Sequence, residues 1–457
     1  MNDDVRKIAE AVRAAGGRAL LVGGYVRDRT LGLEPKDLDL EVYGLEIDAL
    51  ERTLATFGEV KQVGKSFGVL KVLHLDVSVP RRDSKTGAGH RGFTIEADPT
   101  LSYEEATRRR DFTINAMMLD PLTDEIVDPH GGRRDLEARV LRAVDARTFV
   151  EDPLRVLRAA QFVARFDLEP APELVALCAS ITGTLRELPA ERLWEEWVKL
   201  LLKGRTPSRG LRFMHAARVD EALFPELQAL VGCQQEPDWH PEGDVFVHTC
   251  MALDVAATMR TGDPAHDLPL MLGVLCHDFG KPPTTRFIDG RWRSRDHETA
   301  GIAPTQAFLE RLKVSPDLVR PVSALVEFHL APAHFAHPKF QATPRAYRNL
   351  ARKLAAAGTS IEMLHQVSTC DHFGRTTADA LARAFPAGDT FLAEAMAAQV
   401  VAKPPTDVVM GRHLIGRGMP PGPKMGEILD RCRQVQDETG LEDPEAILRI
   451  VLGERGG

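Results

Sequence analysis

Apolar and polar positions alternate along this chain in two regimes. Up to about residue 147, short apolar blocks and period-two runs are interleaved with amphipathic helices; beyond it, a period near 3.6 dominates. In residues 3–15, Val5, Ile8, Ala9 and Val12 share one helical face, and Gly16-Gly17 end the pattern. LLVGGYVRDRTLGLEPKDLDLEVY (20–43) then predicts a strand at 18–22, a Gly-Gly turn, a short helix carrying Arg27 and Asp28, and a strand at 38–42. Strand signals recur at 69–73 and at 75–79, where Asp76 and Ser78 alternate with Val77 and Val79. RRDSKTGAGHRGF (81–93) is Gly-rich and basic without periodicity, which predicts a mobile loop. Order returns at 106–119, and 125–141 reads as a strand, a turn and a helix start.

The remainder reads as helical. In PLRVLRAAQFVARF (153–166), Pro153 suits a first helical position and Asp152 its N-cap, with Leu154, Leu157 and Gln161 on one side and Arg155, Arg158 and Arg165 on another. ERLWEEWVKLLL (191–202) is strongly amphipathic, and a Pro- and acid-containing stretch at 235–244 marks a boundary. The expected architecture is an α/β head at 1–147 followed by all-α segments at 148–238, 239–380 and 381–457. No internal repeat interrupts it.

The totals narrow the class. A chain of 457 residues is suited to two to four domains, and 44% apolar with 27% charged residues describes a soluble globular protein. No apolar run is long enough to span a bilayer, the N-terminus lacks the order of a signal peptide, and six cysteines without CxxC spacing fit a reducing cytoplasm. Net charge is −8, which excludes a uniformly basic nucleic-acid coat, yet Arg81-Arg82, Arg108-Arg109-Arg110, Arg133-Arg134, Arg155, Arg158 and Arg165 cluster in the first third. One RNA-binding face is therefore expected there.

Chemistry follows from the strand at 38–42. Asp37, Asp39 and Glu41 fall on one face, and Leu38, Leu40 and Val42 on the other. Paired carboxylates on a rigid strand suit Mg²⁺, a hard cation that takes oxygen ligands and substrate phosphates. Gly23 and Gly24 just upstream allow backbone to approach a phosphate closely. A solvated strand face is the plainer alternative, and either Glu41 or Asp76 could supply a third carboxylate. In EDPLRVLR (151–158), Asp152 and Arg155 are neighbours on one helix face, an acceptor beside donors. That pair matches the N4 amino and N3 edge of cytosine and the N6 amino and N1 edge of adenine, and mismatches uracil and guanine.

VGGYVRD…KDLDL, RRRDFTINAM, HGGRRDL, EDPLRVLRAAQFVARF and ERLWEEWVK, in that order and with the closing GRGMPPGPKMGEIL, resemble the class II tRNA nucleotidyltransferase/poly(A) polymerase family over essentially the whole chain. The resemblance implies a polymerase-β-like nucleotidyltransferase head followed by all-α neck, body, HD and tail domains. It implies that Asp37 and Asp39 bind catalytic Mg²⁺, and that Gly24 with Gly23 and Arg27 bind the triphosphate. It also gives Arg110 and Asp111 to ribose and phosphates, and Asp152, Arg155 and Arg158 to the base. The implied substrates are a tRNA 3′ end with CTP and ATP. The 81–93 stretch resembles the element that full CCA-adding members use to switch nucleotide, and VGKSFGVLKV (63–72) also resembles those members; poly(A) polymerase and partial (CC- or A-) adding relatives are the alternatives.

A second constellation lies in the helical part: His248, His277-Asp278, His297, His329 and Asp371, with HDFGK at its centre. A vicinal His-Asp at a helix end, with Gly280 ending the helix and Pro282-Pro283 preventing continuation, can converge on a metal. The set resembles the HD phosphohydrolase superfamily, which implies one or two divalent metals (Ni²⁺, Mn²⁺ or Co²⁺) and hydrolysis of phosphoesters; a scaffold kept only for packing is the alternative. Cys250, Cys276 and Cys370 point away from such ligands and are expected to be core. A phosphohydrolase with an RNA-binding head remains the reading from another class.

Overall fold

The computed structural model describes residues 2–35, 38–63, 69–85, 93–340 and 342–453. They form two compact units, Met1–Leu223 and Phe224–Gly457. No described helix is long and apolar enough to cross a membrane.

Strands of the first unit are β1 (Arg18–Val22), β2 (Asp39–Tyr43), β3 (Val60–Val63), β4 (Val69–Val72), β5 (Leu75–Ser78), β6 (Arg81–Lys85), β7 (Phe93–Ala97), β8 (Met118–Leu119), β9 (Ile126–Val127), β10 (Val140–Leu141) and β11 (Glu169–Pro170). Seven of them make one mixed sheet in the order β3-β4-β5-β2-β1-β8-β9. β2 runs antiparallel to β1, with Leu20 opposite Glu41, and parallel to β5, with Asp39 beside Asp76. Leu21, Leu40, Val42 and Val77 are fully buried, and the Asp3–Ala14 helix packs its Val5, Ile8, Ala9 and Val12 inward. The face carrying Glu41 is covered too: Leu20, Val22, Tyr43 and Met118 pack with Leu101 and Ala106. The expected alternation is present, but both faces are core.

The 81–93 stretch departs from expectation. Its start, Arg81–Lys85, is a strand paired antiparallel with Phe93–Ala97, in the register Arg81↔Ala97 to Lys85↔Phe93. Arg82 lies 2.9 Å from Asp98, which helps fix the base of this hairpin. Residues 86–92, like Asp37 and Gly64–Gly68, lie outside the described residues. β6, RRDSK, is wholly polar and carries no apolar alternation, so periodicity missed it.

The Leu154–Phe166 helix is the axis of the helical half of this unit, packed by the Ala190–Lys203 and Pro207–Ala216 helices. Leu154, Leu157 and Gln161 are buried as expected. The boundary residue is Pro153 rather than Asp152, although Asp152 Oδ1 still accepts from Leu154 N at 3.1 Å.

In the second unit, the helices Val245–Thr258, Pro264–Cys276, Pro316–Phe328 and Ile361–Phe373 pack against one another. Two of them end immediately before a histidine, His277 and His329, so backbone termination delivers those rings to one place. Gly280 does not act as a left-handed helix stop: its φ is −84°, and a short helix, Lys281–Thr284, follows. Glycine is needed because a Cβ there would stand 1.9 Å from the His297 carbonyl oxygen. Strand structure also appears where only helix was expected. β12 (Thr285–Ile288) and β13 (Arg291–Ser294) form a hairpin turning at Asp289 (φ 52°) and Gly290 (φ 76°), the positive-φ pair that a two-residue hairpin turn demands. Residues near the C-terminus build their own small core from Val409, Leu414, Met425, Ile428, Cys432, Ile447, Leu448 and Val451.

Candidate functional site

The Gly-Gly turn leaves β1 with Gly23 at φ +67°, ψ −128°, which a side chain would strain, and starts the Gly24–Thr30 helix. A Cβ on Gly23 would meet Arg110 Nη1 at 3.2 Å, so Arg110 lies directly over the turn. Its Nε is buried without a hydrogen-bond partner among the described residues, a donor suited to an anion placed on the glycines. Asp39 stands at the exposed start of β2, and Asp76 is its parallel neighbour on the same sheet face, paired to Lys71 at 3.0 Å. Adjacent strands lie about 4.8 Å apart, so oxygens from these two carboxylates can share one hard cation. Glu41, two residues on, is buried and accepts from Tyr43 Oη (2.8 Å) and Arg109 Nη2 (3.3 Å). Burial and the adjacent Glu41 raise the Tyr43 pKa, so the phenol keeps its proton.

Arg27 occupies a more interior place than a phosphate ligand needs. It donates through Nε and Nη2 to Asp28 Oδ1 (2.8 and 2.6 Å) and through Nη1 to Asn115 Oδ1 (2.6 Å), under the rings of Phe162 and Phe166. Asn115 in turn donates to Asp111 Oδ1 at 2.9 Å. Asp111 is 8% exposed, and its Oδ2 accepts from Arg158 Nε and Nη2 at 2.8 and 2.6 Å. Burial alone would raise the Asp111 pKa; the Arg158 guanidinium overrides it and holds the carboxyl below its ordinary value. One network thus ties the Gly-Gly helix and the RRD turn to the Leu154–Phe166 helix. Asn115 was not singled out from sequence; it lies on no periodic face and is seen only through its partners.

The Asp152/Arg155 pair, expected to read the base, is held from behind. Arg155 donates through Nη1 to the Thr148 carbonyl (2.6 Å) and through Nη2 to the Arg109 carbonyl. A guanidinium has five N–H donors, so others remain for a ligand. Arg192, from the ERLWEEW helix, stands 3.6 Å from Asp152 Oδ2.

In the second unit, the predicted histidines and aspartates converge. His248 Nε2 is 3.1 Å from Asp371 Oδ1 and 3.3 Å from His277 Nε2. His297 Nε2 is 3.3 Å from His329 Nε2 and 3.4 Å from Asp278 Oδ1. Each ring is fixed from its other nitrogen: Nδ1 of His277, His297 and His329 lies 2.7, 2.8 and 2.7 Å from the carbonyls of Val274, Ser294 and Val326. A carbonyl only accepts, so Nδ1 carries the proton and Nε2 presents a lone pair. Burial, then the neighbouring His297 and His277, push the His329 pKa down to about 3, which keeps that ring neutral. Facing lone pairs and a buried Asp278 whose two oxygens receive no well-aligned hydrogen bond call for cations among them. The donor set fits one or two divalent metals.

Three participants here were not predicted. Glu242 Oε1 lies 2.8 Å from Nδ1 of both His240 and His248; it sat in the stretch read as a boundary. Lys281 Nζ stands 2.8 Å from Asp278 Oδ2 and donates to Gln235. Arg375 Nη2 reaches both oxygens of Asp371 at 3.0 and 3.1 Å. The i,i+3 and i,i+4 spacings of Lys281 and Arg375 from the two aspartates were the available signals. Cys276 and Cys370 are fully buried, as expected for core, and burial raises the thiol pKa of both.

Comparison with known proteins places this geometry. A family model described as the poly A polymerase head domain matches residues 19–142, and one described as a probable RNA- and SrmB-binding site of polymerase A matches 167–230. The chain is 42% identical over 309 residues to the multifunctional CCA protein of Xanthomonas campestris, spanning 65% of this chain and 71% of that one. With its Stenotrophomonas maltophilia counterpart it shares 42% identity over 323 residues, 68% and 75% of the two chains. In fold it is similar to the Bacillus stearothermophilus CCA-adding enzyme in complex with CTP (TM-score 0.65, 20% identity, 99% and 98% covered). It is similar also to the Thermotoga maritima CCA-adding enzyme complexed with tRNA (TM-score 0.61, 19% identity, 99% and 96% covered).

Removing one partner of the Asp111–Arg158 pair leaves a buried carboxylate uncompensated. Arg158→Ala is expected to destabilise the first unit by about 1.5–3 kcal/mol, the range for hydrogen bonds to charged groups, read as a lower urea midpoint. Because the folded Asp111 pKa is depressed, the wild-type advantage is present above the ordinary carboxylate range and fades as pH falls through the folded value.

Proposed function

Since this chain belongs to the family of the multifunctional CCA proteins, we propose that it adds C, C and A in turn to tRNA 3′ ends, from CTP and ATP and without a nucleic-acid template. The observation that carries this reading is the Asp39–Asp76 carboxylate pair together with a Gly-Gly turn whose helix one hydrogen-bond network ties to the helix bearing Arg155. In this reading the RNA 3′-hydroxyl attacks the α-phosphorus of the nucleotide, and pyrophosphate leaves. Asp37 and Asp39, with Asp76 beside Asp39, would hold Mg²⁺, whose charge would stabilise the attacking and leaving oxygens. Gly23, Gly24 and Arg110 bind the triphosphate by backbone approach and a buried donor. Arg27 and Asp111 act one step back, fixing the turn and the helix relative to each other. Asp152 and Arg155 present acceptor beside donor to the base edge, which admits cytosine and adenine. The cell compartment is the cytoplasm.

The same proposal assigns the second unit a metal-dependent phosphohydrolase activity at His248, His277, Asp278, His297, His329 and Asp371, with Ni²⁺, Mn²⁺ or Co²⁺ as the candidate ions. Metals there activate water against a phosphoester. The residues of this chain orient the rings through backbone carbonyls, and Lys281 and Arg375 add positive charge for a phosphate.

Two experiments test the two halves. Incubated with tRNA lacking its last three nucleotides plus CTP and ATP, the protein is expected to restore the three nucleotides and stop; Asp39→Ala abolishes addition while leaving metal-dependent hydrolysis intact. A long adenylate tail without C incorporation would make it a poly(A) polymerase instead. For the second site, elemental analysis of the purified chain is expected to find divalent transition metal that Asp278→Ala loses, with nucleotide addition unchanged.

A further inference from the structure

The histidine–aspartate cluster opens into two cavities, of about 210 and 490 Å³. Both are bordered by the same five residues of the cluster and its rim: Trp239, His329, Leu330, Asp371 and Arg375 recur in each, and Asp278 with Lys281 closes the smaller one. Trp239 is 60% exposed. A tryptophan left open at the rim of a charged pocket loses apolar burial, and nothing in the metal chemistry described above requires it. The larger cavity is walled beside Trp239 by Leu330, Ala333, Phe385 and Pro386, an apolar part of its lining.

The surroundings indicate what enters. The β12–β13 hairpin carries Arg286, Arg291 and Arg293, with Arg295 just past it, all exposed, against the acids Asp289 and Asp296. On its opposite face Phe287, 62% exposed, meets Trp292 edge-on with centroids 5.1 Å apart, and Trp292 borders the smaller cavity together with Trp239. Arginines interleaved with exposed aromatics are the pattern that holds single-stranded nucleic acid, cations on phosphates and rings on bases. Resting on the phosphohydrolase reading of this site, we propose that Trp239 is its base-stacking residue: it holds the terminal nucleobase of an RNA 3′ end whose phosphate lies toward Asp278, Lys281 and Arg375, while the arginine hairpin follows the preceding phosphates. The site then selects a phosphorylated RNA end over a phosphoester without a base.

The test uses the full chain loaded with Mn²⁺. First, the difference in emission between wild type and Trp239→Phe isolates Trp239, and stopped-flow titration with adenosine 2′-phosphate is expected to quench that component saturably. Second, Trp239→Ala is expected to raise KM for 2′,3′-cyclic AMP about 10-fold, the size of one lost stacked base, with kcat unchanged, rescue by Trp239→Phe, and no effect on glycerol 1,2-cyclic phosphate. Third, a trinucleotide ending in the same cyclic phosphate is expected to bind more tightly than the mononucleotide, an advantage that Arg286→Ala with Arg293→Ala removes. An unquenched Trp239, or an unchanged KM for the cyclic nucleotide, overturns the proposal, and marks the exposed ring as a surface for some other partner. A trinucleotide that gains nothing overturns the RNA-end part. Saturable quenching without hydrolysis of any phosphoester would sustain the base clamp and sink the hydrolase reading, so the two failures are separable.

Discussion

A carboxylate taken out of water must find a cation or give up its charge, and much of the first unit depends on how Asp111 meets that demand. Its two oxygens are divided between Asn115, which leads on to Arg27 and the Gly-Gly helix, and Arg158, which belongs to the long helix that begins beside Asp152. The Gly-Gly turn at the end of β1 and the helix bearing Arg155 are thereby held at one separation. The strength of the tie comes from directed, charge-assisted hydrogen bonds in low dielectric, and its specificity from the fixed fork of the guanidinium. In the proposed function, the carboxylate face performs the reaction and the helix beyond Asp111 selects what is transferred.

The second unit meets the same demand with other partners. Asp278 is sunk among four imidazoles: His277 and His329 are aimed by backbone carbonyls at helix ends, His297 by the Ser294 carbonyl and His248 by the Glu242 carboxylate. There the protein supplies orientation and leaves charge balance to bound cations, with Lys281 and Arg375 at the margin. The construction is rigid because helix termination, rather than long side chains, sets the ring positions. Gly280 makes that possible by letting the His297 carbonyl approach where no Cβ would fit.

How much was legible in the sequence depended on whether local signals and long-range contacts agreed. β1 carried an apolar run and β2, β4 and β5 apolar alternation, and these were visible; β6 lay in a stretch read as loop, β12 and β13 in one read as helix, and β7 beyond Phe93 was assigned no element. The Asp289-Gly290 turn was a signal passed over, because the surrounding histidine pattern favoured helix. Metal-type ligands were found by residue type and spacing. Glu242, Lys281 and Arg375 were not, since a residue that aims or neutralises a ligand has no spacing rule of its own beyond the helical neighbour. Arg27 was expected at a phosphate, and its burial beneath Phe162 and Phe166 reflects a contact across 139 residues of chain that no local pattern encodes.

The claim that a protein helix, and no template, chooses the nucleotide is tested most directly by measuring kcat/KM for CTP, ATP and UTP on the same tRNA in wild type and Arg155→Ala. The account predicts that the preference for CTP and ATP over UTP collapses, because the donor beside Asp152 is lost while the carboxylate face is intact. A variant that slows all three nucleotides equally and keeps the preference would contradict it, and would reduce Arg155 to a brace for the Thr148 and Arg109 carbonyls.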